Sequence, residues 1–148
     1  MPGDLTDRAA GAPGVLRLRA LDEVVELVGL VSPVFVRFSA GPEVDAATVS
    51  RDHESGSVLP GLSVNPLDPE PWWDRPLTHW LARQLCQYAH LMRGDRFPWM
   101  LTGTVVGRGP DCEPLLVETT PVAYLEPSVV REAAETYARE FRAGADGR

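Results

Sequence analysis

Six prolines fall between residues 40 and 76: Pro42, Pro60, Pro66, Pro69, Pro71 and Pro76. Each fixes its own φ, removes a backbone donor and biases the preceding residue away from helix. Long periodic runs are few in this stretch, so the long regular elements are expected on either side of it. Within it only Leu62–Val64, and more weakly Val58–Leu59, read as short strands. A long irregular segment in a compact domain is often functional or mobile. This one closes on NPLDPEPWWDRP, where Trp72 and Trp73 are adjacent.

Before the proline run, Leu21, Val24, Val25 and Val28 recur at helical spacing and predict a helix over 21–30. Asp22 and Glu23 lie in its first turn, where the helix dipole favours acids, and Gly29 is the expected stop. VFVRFS, residues 34–39, has strand composition. Alternation puts Val34, Val36 and Phe38 on one face and Phe35, Arg37 and Ser39 on the other. After the run, Pro76 opens a helix expected over 77–92. Leu77, Trp80, Leu81, Leu85, Tyr88 and Met92 form its apolar stripe, and His79, Arg83, Gln87 and His90 share another face. Strands are expected over 99–106 and 115–125, paired through the turn GRGPDCEP. A last helix runs from Pro127 to about Arg142 with Val130, Ala134, Tyr137 and Phe141 inward. Arg131/Glu135 and Glu135/Arg139 are its expected i,i+4 pairs. Helices do not alternate regularly with strands. The expected fold is therefore α+β: a small, mainly antiparallel sheet, three helices and a long Pro/Trp-rich irregular segment.

The chain has 148 residues, which predicts one domain over 15–142 between disordered tails at 1–14 and 143–148. No apolar run suits a membrane span, and the first residues lack the apolar core of a signal peptide. The expected location is cytoplasmic. Cys86 and Cys112 are too few for a disulfide scaffold or a four-cysteine zinc site. His79 and His90 stand about 16 Å apart along one helix and cannot share a metal; no metal site is expected.

Net charge is −7, with 14 basic residues, all arginine, against 21 acids. An acidic total argues against general nucleic-acid binding. Its distribution is uneven. Residues 20–74 carry ten acids and two arginines, while residues 75–108 carry five arginines and one acid. These blocks can pair with each other. Alternatively, the basic block offers a site for a phosphate or nucleotide, with tryptophan faces for stacking. With no lysine, Gly107–Pro110 is not a phosphate loop but a hairpin turn. SRDHE, residues 50–54, reads as a solvated loop.

Four strings, VRFSAGPEVD, SRDHESGSVLPGLSVNPLDPEPWW, RQLCQYAHL and LTGTVVGRGPDCEPL, resemble an uncharacterised family of small actinobacterial proteins over roughly residues 30–142. A strand bearing Arg37, followed by the Leu62-Ser63-Val64 string, is also similar to small toxin-type ADP-ribosyltransferases. That resemblance implies an arginine engaging NAD and a serine lining the nicotinamide pocket. It further implies a glutamate, Glu113 or Glu118, stabilising an oxocarbenium-like centre, although neither lies in an E-x-E or Q-x-E pair. The combined expectation is one concave site built from Arg37, Ser39, Ser63, Asn65, Trp72, Trp73, Arg83, Gln87 and His90. It would take an anionic or nucleotide-like ligand such as NAD. The alternative is a non-enzymatic protein-interaction module in which the Pro/Trp segment is a docking or structural surface and Arg37 is a buried structural arginine.

Overall fold

The computed structural model describes residues 14–46, 59–87 and 89–142. Most of both expected tails, the SRDHE loop, Val58 and Tyr88 lie outside the described residues. The elements are β1 (Leu16–Leu18), α1 (Leu21–Leu30), β2 (Phe35–Ser39), α2 (Pro42–Ala46), β3 (Leu62–Ser63) and β4 (Asn65–Pro66). Then come α3 (Leu77–Gln87), a 3₁₀ turn (Ala89–Leu91), β5 (Phe97–Arg108), β6 (Pro114–Leu125), α4 (Pro127–Tyr137) and a π turn (Ala138–Arg142). The architecture is α+β, as expected.

The twelve-residue strands β5 and β6 form an antiparallel hairpin. β2 pairs antiparallel with β5, and β1 lies parallel along the end of β6. The proline run supplies the rest. Leu62 and Ser63 pair with β6, whereas Asn65 and Pro66 pair with β2 on the far side of β5. The single run 62–66 thus spans from one flank of the hairpin to the other, and the sheet must curl for it to do so. Pro66 suits an edge position because it has no N–H to leave unpaired. Gly61 lets this run approach: a Cβ there would stand 2.8 Å from the Leu116 carbonyl oxygen.

The two faces of β2 separate as its alternation predicts. Val34, Val36 and Phe38 join Leu21, Val24, Trp80, Leu81, Leu85, Val129 and Ala133 in a core between the sheet and α1, α3 and α4. Phe35 faces the inside of the curl, with Val15, Val64, Trp99, Leu101, Leu116 and Tyr124. At about 25 cal/mol per Å², burial of such side chains contributes roughly 1.5–3 kcal/mol each.

Several boundaries differ from the sequence expectation. Gly29 does not stop α1, which continues through Leu30 with the Val31 N–H bonded to the Leu27 carbonyl at 2.8 Å. Two glutamates hold its other end. Glu23 accepts from the Arg19 and Ala20 N–H groups, and Glu132 of α4 accepts from Leu21 at 2.6 Å, satisfying donors that every helix start leaves open. α3 ends at Gln87, not Met92. α4 buries Val129, Val130, Ala133 and Thr136, while Ala134 and Tyr137 are exposed. Val130 is inward as expected, but Ala133 and Thr136 take the inward places expected of Ala134 and Tyr137, and Tyr137 instead stacks on Phe141 at 4.7 Å. Arg139 pairs with Glu140 at 3.2 Å. No helix among the described residues is long and apolar enough to cross a membrane.

Candidate functional site

Arg37 points to the inside of the curl. Its Nε donates to Asp45 Oδ2 at 2.7 Å, and its Nη1 donates to the Ser63 carbonyl at 2.7 Å. Nη2 approaches the second Asp45 oxygen at 3.5 Å. One guanidinium thus ties β2 to α2 and to β3. These bonds use Nε and one hydrogen on each terminal nitrogen, leaving the second hydrogen on each. Asp45 also accepts from Ser39 Oγ at 2.6 Å, and that hydroxyl accepts from the Trp99 indole N–H at 2.9 Å. Asp45 is nearly buried and Arg37 is one-fifth exposed. α2 begins on the sharp turn at Gly41, whose φ is 116°. This short helix carries Asp45 back over the strand it follows.

The second part of the site is the β5–β6 turn. Ser63 Oγ donates to Glu113 Oε2 at 2.9 Å, and the Asp111 N–H donates to Glu113 Oε1 at 2.9 Å. Both carboxylate oxygens are therefore held. Gly109 makes room for them: a Cβ at 109 would land on the Glu113 carboxylate. The turn also requires Cys112 at φ 64°. Arg37, Ser63 and Glu113 thus lie along one hydrogen-bonded chain, passing through Ser63 by its carbonyl on one side and its hydroxyl on the other.

Beside this chain opens a cleft of about 640 Å³, within the range of small-molecule sites. Trp99, Leu62 and Leu116 are among its apolar lining, and Asp45 lies on its wall. Glu43 and Glu118 are exposed acids at the same cleft. Glu118 adopts the left-handed conformation, φ 54°, and accepts a long 3.3 Å bond from Thr104 Oγ1. Further along the inside of the curl, the Tyr124 phenol is held above its ordinary pKa, first by burial and then by the Glu43 carboxylate, with Arg17 opposing.

The remaining expected site residues are elsewhere. Asn65 pairs with Val36 and shares its helix-side face. Gln87 and His90 are exposed at the end of α3 and in the 3₁₀ turn. Arg83 lies 5.3 Å over the Trp80 ring, on the helix side of the sheet from Arg37. Trp73 packs against Trp80 (5.0 Å) and Phe141 (6.4 Å), with Arg75 over Phe141 at 4.4 Å. Trp72 is 66% exposed. The structure brings together Arg37, Ser39, Ser63 and Glu113. It does not bring the helix-borne residues or the tryptophan pair to them. Asp45 was missed because it lies in a five-residue helix with no buried residue to reveal its period. The string from Arg37 to Asp45, however, does contain both partners.

Among the described residues there is no group of three or more His, Cys, Asp or Glu side chains placed to hold a metal ion. No curated protein and no solved structure is significantly similar to the chain. The model of one family, described as a family of unknown function (DUF6098), matches residues 12–147. The match spans the curl, the Arg37–Ser63–Glu113 chain and all the helices, and on that ground the protein belongs to the DUF6098 family.

Proposed function

We propose that this protein binds NAD inside the curled sheet and acts on it in the manner of an ADP-ribosyltransferase. The observation that carries the reading is the hydrogen-bonded chain Arg37–Ser63–Glu113. These are the residue types that the resemblance implies, and residues far apart in sequence meet there. Arg37 keeps N–H groups for a phosphate oxygen of the dinucleotide. Ser63 lies between the arginine and the acid. Glu113, with both oxygens fixed, offers preorganised negative charge where the bond from ribose to nicotinamide breaks and its electron pair leaves on nicotinamide. A carboxylate held in place costs no reorganisation as positive charge develops on the ribose.

The test is nicotinamide release from NAD, measured beside NAD-dependent thermal stabilisation. A ligand at 100 times its Kd stabilises by roughly 2.7 kcal/mol. Wild type is expected to be stabilised and to release nicotinamide. Glu113→Gln should keep the stabilisation and lose release by about 100-fold or more. Absence of both effects in folded wild-type protein defeats the proposal.

A second reading, a protein-interaction module, is favoured by Trp72, whose ring is mostly in solvent while its neighbour Trp73 is packed. Trp72→Ala should then abolish partner capture without altering nicotinamide release.

A further inference from the structure

We infer that the aromatic face around Trp72 is a docking surface for a second copy of this chain, related to the first by a two-fold axis beside Trp72. The inference rests on the interaction-module reading, whose partner it names, and is independent of the NAD reading. Four rings run in contact across this face: Trp72 to Trp73 at 6.1 Å, Trp73 to Phe141 at 6.4 Å and Phe141 to Tyr137 at 4.7 Å. Both ends reach solvent, Trp72 being 66% and Tyr137 40% exposed. The Trp73 N–H bonds to the Glu70 carbonyl at 2.9 Å, so Pro71 and Trp72 occupy the corner of a tight turn. The indole N–H groups of Trp73, Trp80 and Trp99 are bonded inside the chain. That of Trp72 has no acceptor among the described residues. A large ring held edge-on by Trp73 and Trp80, with its donor free, loses little conformational freedom on docking.

The charges around the rings indicate what docks. Glu70, Asp74 and Arg75 are exposed, and Arg83 lies over Trp80 at 5.3 Å. Among the described residues none of these four is in an ion pair. Arg75 instead lies over Phe141 at 4.4 Å and meets a ring nitrogen of His79 at 3.3 Å. Arg139 and Glu140, close by, pair with each other. The face is thus electrically balanced, with two acids and two arginines that leave one another unpaired. A uniformly acidic or basic partner is attracted by one set only while being repelled by the other.

A second copy avoids that conflict. The net charge of −7 sets most of the surface against another copy, but not this balanced face. A two-fold contact is self-complementary, because each residue meets on the partner what its counterpart meets in return. Glu70 precedes Trp72 and Arg75 follows it. An axis beside Trp72 reverses that order, setting Glu70 of each copy toward Arg75 of the other with the two Trp72 rings between. Trp, Tyr and Arg are the residue types that carry most of the energy in protein interfaces, and all three are on this face.

The experiment is sedimentation velocity on the full chain from about 5 to about 500 μM, the range suited to a small transient interface. Wild type should pass from monomer to dimer across that range, and less readily as salt rises. Trp72→Ala should weaken the dimer about ten-fold or more with an unchanged circular-dichroism spectrum. In a homodimer Glu70→Arg sets two cations against each other, and Arg75→Glu sets two acids against each other. Each variant alone should dimerise about five-fold more weakly or worse. Mixed in equal amounts, the two should form a heterodimer about as tight as the wild-type dimer, since both cross-pairs are then attractive. Glu70→Gln and Arg75→Gln replace either reversal that fails to fold, and each should weaken the dimer about two- to three-fold. Wild type monomeric at the top concentration, a dimer indifferent to Trp72→Ala, or reversals that associate no better mixed than alone overturns the proposal. A monomeric wild type that captures a different protein through Trp72 overturns the second-copy assignment and keeps the interaction-module reading.

Discussion

Asp45→Ala removes the acceptor on which the inside of the curl converges. Two short bonds are lost, from Arg37 Nε at 2.7 Å and Ser39 Oγ at 2.6 Å, together with the 3.5 Å approach of Nη2. Removing one partner of a buried ion pair costs roughly 3–5 kcal/mol, because the other charge is left uncompensated. Water reaches part of Arg37, which is 21% exposed, and Arg37 keeps its bond to the Ser63 carbonyl. Both facts lower the expected loss to about 2–4 kcal/mol, from the cost of unpairing charge-assisted bonds. For a chain of this size that lowers Tm by about 10 °C. Thermal and urea denaturation of wild type, Asp45→Ala, Arg37→Met and the double variant complete a cycle. The two single losses should exceed the double loss by more than about 1 kcal/mol. Asp45→Asn, which keeps an acceptor, should fall between wild type and Asp45→Ala. A loss below about 0.5 kcal/mol for Asp45→Ala, the level of an ordinary surface change, or strict additivity in the cycle, refutes the account of Asp45 as the organiser of the site.

Gly109→Ala should displace the Glu113 carboxylate from Ser63. Its expected signature is loss of nicotinamide release comparable to Glu113→Gln, with a stability change under about 1 kcal/mol because the turn is exposed. Gly61→Ala should destabilise by about 1–3 kcal/mol in urea, since a Cβ would meet the Leu116 backbone at 2.8 Å. Trp73 is partly buried against the core, so Trp73→Ala should cost less than the roughly 3–5 kcal/mol of a fully buried tryptophan, about 1–3 kcal/mol, and Trp72→Ala less than about 1 kcal/mol. The Tyr124 phenol keeps its proton in the folded state at pH values where an unfolded tyrosine releases it. Its stabilising contribution is therefore complete below about pH 10 and is lost as pH rises through the folded value. Tyr124→Phe should flatten alkaline unfolding above about pH 10.

Elements with their own period were legible from the residues alone. α1 occupies the expected 21–30, and β2 splits its side chains between two cores as alternation requires. The sequence points to Arg37, Ser63 and either Glu113 or Glu118; the fold joins Glu113 to the first two and leaves Glu118 apart, bonded to Thr104. What was hidden depends on pairing rather than pattern. β1 has three residues, and β3 and β4 have two each, too few for a period, and their strand identity comes from β6 and β2 beside them. The α3 face bearing Arg83, Gln87 and His90 was grouped with Arg37 by chemistry. A single sequence does not show that a sheet lies between them. The α4 stripe was misplaced because Thr136, a polar residue, is buried while Tyr137 is not.

The most direct measurement is a crystal structure of the protein with a carbocyclic NAD analogue whose nicotinamide bond cannot break. The nicotinamide-bearing ring should lie beside Ser63 and Glu113, with a phosphate oxygen on the Nη edge of Arg37. An analogue bound elsewhere on the chain, or no bound analogue at saturating concentration, contradicts it.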